Sequence, residues 1–463
     1  MPPDKAGIIP RLRQRSASTL QPVMPVNSPQ IPVAVRPSGC PGLLRIVQAL
    51  DGGICRIKLA GGAISTAQAR AVADGAERFA AGVIEATNRA NLQIRGIGAD
   101  HSGLIDSLLA AGLGPTTVAG DDVRNLMLSP TAGIDRQRLV DTRPLAQQIL
   151  ATLQSHPRFA QLSAKFAVQL DGGEALAMLD HHHDLWLSAC TLAGQPALAF
   201  GVAGCLRDRP LAAVPLAQGH DLVVAVLEWF LDHARPEHNR MRQLLVETPV
   251  DKLLADLAAR LPLLAIADWQ RAAPTAGLHL GTYPQGDSGY VYVGAAAPLG
   301  RLDPAKLRGA AHLAQAFGDG SLRLTPWQSL LLPNIRAEDG PQVLAALEQL
   351  GLLGSADQAL AHVIACTGSP GCAKAQADTK ADAVRLAALL QGTERCTEVH
   401  LSGCPRSCAA AHPAAVTLLA VAPGHYDLYF SAAGLPGFGA PHARNLTIEA
   451  AGALLGARPR SHP

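Results

Sequence analysis

The run LWLSACTLAGQPALAFGVAGCL, Leu185 to Leu206, carries no formal charge. It is long enough to cross a bilayer, which takes about 20 apolar residues. Gly194-Gln195-Pro196 interrupts it in the middle, and Ser188 and Thr191 add polar groups, so a strand, a turn and a second strand fit better than a membrane helix. This run matches a second, largely apolar one further along, Val416 to Gly434, with the polar turn Pro423-Gly424-His425-Tyr426-Asp427 inside it. A turn at the equivalent point of both runs predicts two β-hairpins.

Working outward, the two hairpins are the last of a series of collinear matches offset by roughly 230–240 residues. Val168-Gln169-Leu170-Asp171-Gly172 matches Val399-His400-Leu401-Ser402-Gly403, and Ala110-Ala111-Gly112-Leu113 matches Gln349-Leu350-Gly351-Leu352. Leu92-Gln93-Ile94 is aligned with Leu322-Arg323-Leu324, and Val123 to Gly133, through Ser129-Pro130, with the stretch holding Ser369-Pro370. A period near half the chain is too long for a solenoid and reads as a tandem duplication. Within the first half a small α/β unit comes first: strand Ile54 to Leu59, helix Thr66 to Ala81, strand Leu92 to Gly96, helix Ser102 to Ala111. The first helix rests on apolar spacing at Ala69, Val72, Ala73, Ala76, Phe79 and Ala80, with Thr66 as N-cap and Gly82 as stop. The expected fold is α+β: a tandem pseudo-twofold duplication in which each half holds a small α/β unit and a larger mixed α/β unit. The boundaries read as a Pro- and Ser-rich disordered leader over 1–36, small units at 37–114 and 263–355, and larger units at 115–262 and 356–455. A cleft where the halves meet is the expected ligand site.

Composition narrows the function classes. The chain has 463 residues, 39 Lys+Arg against 37 Asp+Glu and a net charge of +2, which argues against nucleic-acid binding by broad basic steering. Only 16% of residues are charged while 48% are hydrophobic, enough for several packed layers and incompatible with disorder throughout. Nine cysteines in so long a chain make no disulfide scaffold, and Met1 to Gln30 has no apolar core of a signal peptide. A cytoplasmic, thiol-preserving location without membrane partners is expected.

Four of the cysteines are paired. Cys366 and Cys372 frame a C-x5-C loop, and Cys404 and Cys408 a C-x3-C loop. Four thiolates, one per iron, are what a 4Fe-4S cluster requires. Gly368, Pro370 and Gly371 give the first loop a tight curl, and Cys408 follows Cys404 by one helical turn if a helix begins there. Structural zinc remains an alternative, although it prefers C-x2–4-C knuckles. Cys396 is a rival ligand to Cys404, while Cys40, Cys55, Cys190 and Cys205 are unpaired. By the sequence alignment, the first half has Leu126, Ala132 and Gly173 where the second has Cys366, Cys372 and Cys404, so only one half can hold a cluster.

C-x5-C plus C-x3-C in the second of two pseudo-repeated halves resembles the sulfite and nitrite reductases, across nearly the whole chain after residue 36. That resemblance implies ferredoxin-like small units and a 4Fe-4S cluster on Cys366, Cys372, Cys404 and Cys408, which those enzymes pair with sirohaem. Within the superfamily, Cys40-Pro41-Gly42-Leu43-Leu44-Arg45 and Leu50-Asp51-Gly52-Gly53-Ile54-Cys55-Arg56 are similar to the precorrin-3B synthase branch of cobalamin biosynthesis. That branch implies a monooxygenase that takes precorrin-3A, a carboxylate-rich tetrapyrrole, and uses O2 with electrons from a separate NADH-linked donor to hydroxylate C20 and close a γ-lactone. An O2-activating non-haem iron is a further candidate cofactor, with no ligands assigned.

The resemblance also marks cations for the tetrapyrrole carboxylates: Arg89, Arg124 and Lys165 at matching positions, with Arg95 as a fourth. Ala167 stands where sirohaem reductases carry a second Lys, a departure that turns the pocket from sirohaem toward a tetrapyrrole substrate. A sirohaem-dependent sulfite or nitrite reductase is the alternative enzyme, and a cluster- or zinc-stabilised interaction module the non-enzymatic one. Asp180-His181-His182-His183-Asp184 is the most polar cluster and a candidate iron site, with His412 matching His181 in the repeat. Gly96-Ile97-Gly98 lacks the third glycine of a dinucleotide fingerprint, and no Ser-His-Asp order or catalytic carboxylate pair can be assigned from spacing.

Overall fold

The computed structural model describes residues 39–286, 289–392, 398–432, 435 and 437–457. The proposed leader and Cys396 lie outside them. The described chain forms four five-stranded sheets.

The first small sheet is ordered Val47–Ala49, Gly52–Ile57, Leu92–Ile97, Val83–Ala86 and, from the other half, Arg301–Leu302. The second is ordered Gly281–Pro284, Tyr290–Ala296, Ser329–Arg336, Ser321–Leu324 and, from the first half, Ala63–Ser65. Each small unit thus lends its partner an edge strand, Arg301 opposite Glu85 and Ser65 opposite Ser321. The exchange covers a sheet edge that would otherwise present unpaired backbone groups. It also means that neither small sheet is built from one contiguous segment. Helices Thr66–Phe79, Ser102–Ala110, Pro304–Phe317 and Gly340–Gln349 cover one face of the two sheets, and all share a single apolar core.

The first of these helices forms because Ala69, Val72, Ala73 and Ala76 fall on one buried face. Its N-cap is Ser65, in a capping box with Gln68. Thr66, expected as the cap, is the first helical residue and bonds Gln315 across the halves. The helix ends at Phe79, and Gly82, at φ +71°, returns its N–H to Ala76 O at 3.1 Å. Gly320 does the same to Ala314 in the second half at 3.0 Å.

These landmarks correct one sequence match. Ala90 and Gly96 flank Leu92-Gln93-Ile94 in left-handed conformation, and Gln328 and Asn334 flank Leu330-Leu331-Leu332 in the same way. The counterpart of Leu92-Gln93-Ile94 is therefore this strand. Leu322-Arg323-Leu324 matches the preceding one, Ile84-Glu85-Ala86. Short apolar triplets recur in adjacent strands, so sequence alone slips by one.

Each large sheet has three parallel strands followed by two antiparallel ones. In the first, Leu126–Leu128, Val168–Asp171 and His183–Leu192 run parallel, then Gln195–Gly204 and Ala212–Pro215. In the second the series is Val363–Ala365, Val399–Ser402, Val416–Ala422, His425–Phe430 and Ala440–Thr447. Both apolar runs are hairpins. The first turns at Ala193-Gly194, both left-handed at φ +48° and +77°, one step earlier than the Gly194-Gln195-Pro196 expected. No helix among the described residues is long and apolar enough to cross a membrane.

Strand register fixes the repeat residue by residue. Leu126 pairs with Val168 as Val363 pairs with Val399. Counting on from these pairs, Cys366 corresponds to Ser129 and Cys372 to Asp135, correcting Leu126 and Ala132. Gly173 remains opposite Cys404. The Ser-Pro dipeptides that anchored the sequence alignment are not equivalent in space.

The large units dock crosswise. Arg95 and Asn88 of the first half reach Gly371 O and Cys408 O of the second, while Arg323 of the second reaches Pro130 O and Ala132 O of the first. This is an α+β tandem duplication with pseudo-twofold exchange.

Candidate cluster and anion-binding site

The helix-free face of the first small sheet floors the site. Cys55, Ile57, Ile84, Leu92 and Ile94 turn into the core, so strand alternation turns Arg56, Glu85, Gln93 and Arg95 the other way. Against this face lies the C-x5-C loop.

Cys366 leaves its strand three residues beyond Val363 and accepts the Gly403 N–H at 3.2 Å, while Thr379 Oγ1 donates to Cys366 O at 2.8 Å. Gly403 has no substitute here: a Cβ would sit 2.6 Å from Ala375 Cβ and 3.3 Å from Cys366 Sγ. At Gly371 a Cβ would fall 2.9 Å from Asp51 Oδ2 and 3.0 Å from Arg95 Nη2, so glycine allows the loop to pack onto the floor. Cys404 and Cys408 lie on a turn in which Ser407 is left-handed at φ +50°, not on the helix expected. Asn88 Nδ2 holds that turn through Cys408 O and Ala409 O, at 3.3 and 3.1 Å.

All four cysteines are free thiols; Cys366, Cys372 and Cys404 are half-buried and Cys408 reaches solvent. The Cys408 thiol is pushed up by burial and then by the charges of Cys404, Cys366 and Cys372, so the four sulfurs share one local field. No three His, Cys, Asp or Glu side chains among the described residues converge on a single metal ion. A cubane does not need that, because each thiolate binds a different iron. The free thiols, the shared field and the Gly403 N–H aimed at sulfur fit a 4Fe-4S cluster better than a zinc knuckle.

The cations divide into two groups. Arg95 is engaged: it pairs bidentately with Asp51 at 2.9 Å, lies 3.8 Å from Glu85, and reaches Gly371 O at 3.4 Å. Its charge is balanced, and it clamps the cluster loop. Arg124 is likewise tied down, to Leu113 O, Gly114 O and Asp121, with burial pulling its pKa down and Asp121 opposing.

Arg89 stands apart, since its guanidinium has no hydrogen bond or ion pair among the described residues. Burial pulls its pKa down to about 10, Arg240 adds to the shift, and Asp184 opposes. A half-buried guanidinium without an internal partner suits a carboxylate ligand. Arg56, overlooked by sequence reasoning, lies beside it. Among the described residues Arg56 bonds only Gln93 Oε1, at 3.1 and 2.8 Å, and it is lowered by burial against the pull of Cys40 and Cys408. The signal was present, since two-residue alternation puts Arg56 on the face opposite Cys55 and Ile57. Lys165 is exposed, its side chain free of bonds among the described residues. At the expected second lysine, Ala167 is buried and its N–H bonds Asp184, which Arg240 also grips at 2.8 and 2.9 Å.

The histidine cluster does not form a metal site. His182 is exposed while His181 and His183 are buried. His181 Nε2 meets His412 Nδ1 at 3.2 Å, and His183 Nδ1 meets His181 O at 2.9 Å. The described residues therefore offer no preformed mononuclear iron site. Among the described residues, Arg56 and Arg89 are the cations of this floor without an acidic partner.

Comparison with known proteins places this geometry. The nitrite/sulfite reductase ferredoxin-like half domain matches residues 47–112 and 283–350, and the nitrite and sulphite reductase 4Fe-4S domain matches 119–263. That second match falls on the large unit without the cysteine pairs. The chain is 32% identical over 382 residues to the chloroplastic ferredoxin–nitrite reductase of Zea mays, covering 76% of this chain and 67% of the relative. The rice enzyme is 30% identical, with 63% of its length covered, so the chain spans about two thirds of these plant relatives. A precorrin-3B synthase from Sinorhizobium sp is 28% identical over 412 residues, covering 87% of this chain and 85% of the relative. The Mycobacterium tuberculosis NirA structure shares the fold, with a TM-score of 0.72, 22% identity, and coverage of 87% of this chain and 79% of that one. With both domain types matched in sequence and the duplicated architecture shared in space, the chain belongs to the nitrite and sulfite reductase family of iron–sulfur oxidoreductases.

Proposed function

We propose that this oxidoreductase is a precorrin-3B synthase, a cytoplasmic monooxygenase that hydroxylates C20 of precorrin-3A and closes a γ-lactone. The observation that carries the reading is mutual coverage: the Sinorhizobium synthase aligns over 85% of its length, against 67% for the maize reductase. Ala167 in place of a second lysine, and the engagement of Arg124 and Arg95 by neighbouring groups, point the same way. They leave a smaller set of free cations than a permanently held, highly charged cofactor would use.

In this reading Arg89 pairs bidentately with one substrate carboxylate, and Arg56 offers a second cation beside it. Lys165 adds an exposed third cation. Arg95, Asp51 and Asn88 hold the cysteine loops against the pocket floor. A 4Fe-4S cluster held by Cys366, Cys372, Cys404 and Cys408 would supply electrons one at a time, received from a separate NADH-linked donor. The stoichiometry is one O2, two electrons and two protons per substrate, one oxygen entering the product and the other leaving as water. No step is assigned to a mononuclear iron, for which the described residues show no ligand set.

The higher identity to the plant enzymes favours a second reading, a sirohaem-dependent nitrite or sulfite reductase with sirohaem in the same corner. Anaerobic purification separates the two. Cluster absorption with iron and sulfide but no extractable sirohaem, and O2-dependent consumption of precorrin-3A with a reduced donor, are expected. Stoichiometric sirohaem with nitrite or sulfite reduction would overturn the synthase reading.

A further inference from the structure

Glu398, His412 and His181 form a continuous row where the two halves meet. His412 Nε2 lies 2.8 Å from Glu398 Oε1, and His412 Nδ1 lies 3.2 Å from His181 Nε2. The two rings stack at 5.3 Å and 26°. His181 precedes Leu185 as His412 precedes Val416, and Leu185 and Val416 take the same register beside Val168 and Val399. Equivalent residues of a twofold repeat touch only at its axis.

The inner end of the row is unfinished. His181 is fully buried and its Nδ1 has no partner. His183, two residues on, gives its Nδ1 to His181 O and leaves a buried Nε2 equally bare. Arg89, itself unpaired, is close enough to depress both rings, after burial the main cause at His183 and, behind His412, at His181. The outer end, Glu398, is 28% exposed in its side chain.

We propose that Glu398, His412 and His181 are a proton relay carrying protons from solvent to the site beside Arg89. It rests on the reading of that site as a redox site that consumes protons, which holds for O2-dependent hydroxylation and anion reduction alike. With His412 protonated, its Nε2–H bonds the Glu398 carboxylate and its Nδ1–H donates to His181 Nε2. His181 then carries its own proton on Nδ1, facing that site. Transfer of that proton to a substrate oxygen is matched by movement of the His412 Nδ1 proton to His181 Nε2. Both imidazoles end neutral and Glu398 remains a carboxylate. Resetting requires His181 to regain its Nδ1–H tautomer before His412 is protonated again.

The surrounding charges favour His412 as the station that holds the proton. Around it stand Glu398, Asp180, His181 and His400; around His181 stand His412, Arg89, His183 and His182. At His412 burial opposes protonation, but the Glu398 hydrogen bond and the charges of Glu398 and Asp180 outweigh it and raise the pKa. His181 is held neutral by burial and by its cationic neighbours.

The test uses the holoenzyme labelled with 15N-histidine. Nitrogen shifts should show His181 still neutral where His412 titrates, and Glu398→Gln should lower the His412 midpoint by about one pH unit or more. His412→Gln should slow turnover of whichever substrate the wild type accepts by about 100-fold. Cluster absorption should stay unchanged, with partial rescue by added imidazole. An unmoved His412 midpoint in Glu398→Gln, or wild-type turnover in His412→Gln, overturns the relay. If the wild type turns over neither precorrin-3A nor nitrite, the functional reading falls, and the nitrogen shifts still judge the relay.

Discussion

The loop at Cys366 to Cys404 and its repeat at Ser129 to Gly173 share one backbone plan and opposite chemistry. In the second half the plan ends in thiols. In the first, Ser129 and Asp135 stand in place of Cys366 and Cys372, and the loop is held by carboxylates. Asp135 Oδ2 accepts from Thr131 Oγ1 at 3.0 Å and from Ala175 N at 3.1 Å, and Glu174 Oε2 accepts from Gly172 N at 2.7 Å. Even the helix start recurs: Asp141-Thr142-Arg143 matches Asp378-Thr379-Lys380. Thr379 Oγ1 serves Cys366 O at 2.8 Å, whereas the buried Thr142 Oγ1 has no partner.

The sheets beneath diverge in the same sense. Arg56, Glu85, Arg89, Gln93 and Arg95 of the first become Gly294, Arg323, Trp327, Leu331 and Pro333 in the second. Trp327 stacks on His279 at 5.0 Å, and Tyr292 and Leu331 pack with Ile134 and Leu176. Duplication produced two cradles. One keeps cations opposite thiols, and the other is closed by aromatic and carboxylate side chains.

The strongest way to break this comparison is to make the cluster cradle like its repeat. Cys404→Ser removes one of four thiolates and should abolish the absorption of the anaerobically purified protein. A spectrum of wild-type intensity would refute the assignment of Cys404 and direct attention to Cys396. The converse change, Asp135→Ala, leaves Thr131 and the backbone N–H groups of Gln137, Ala175 and Leu176 in the first cradle without their carboxylate. It should cost about 3 kcal/mol of stability, read as a lower denaturation midpoint, with cluster absorption per folded molecule unchanged. Loss of the cluster in that variant would mean that the two cradles are one structural unit.

Arg89→Ala tests the floor. With no internal partner, Arg89 should contribute to ligand binding and little to folding. We expect about 10- to 100-fold weaker tetrapyrrole binding, the worth of a charge-assisted hydrogen bond, with the thermal midpoint unchanged or raised. Arg95→Ala should do the reverse, since it releases Asp51 and the cluster loop. Equal effects of the two on binding would erase the distinction drawn between them.

The parts legible from sequence are those whose signal is local. The hairpins show as apolar runs split by a turn, the helix at 66–79 as a 3.6-residue stripe, and the cluster as two Cys pairs among Gly and Pro. Strands Ala63–Ser65 and Arg301–Leu302 are too short to carry a period, so the exchange of edges stayed hidden. The fate of each arginine depends on partners distant in sequence. Nothing near Arg95 announces Asp51, and nothing near Arg89 announces the absence of an acid. His181 and His412 were matched by counting, but their contact follows only from the axis that strand register defines.

The smallest expected effect probes why the first cradle tolerates so many acids. Burial pushes Glu174 up to about 8 from an ordinary 4.5, and Asp171 adds to the shift, while backbone N–H groups oppose it. Arg271 neutralises Asp171 at 2.7 Å, which leaves Glu174 as the acid that keeps its proton. The folded state therefore binds a proton that the unfolded chain releases between pH 4.5 and 8, so Glu174 costs stability as pH rises through that window. Glu174→Gln mimics the protonated side chain and can still accept from Gly172 N. It should match the wild type near pH 4.5, gain about 1 kcal/mol or more on it by pH 8, and run parallel above that. Denaturation midpoints measured across the window decide the matter. A constant difference would mean that Glu174 is ionised in the fold, and that the first cradle holds its acids by charge pairing instead of by proton retention.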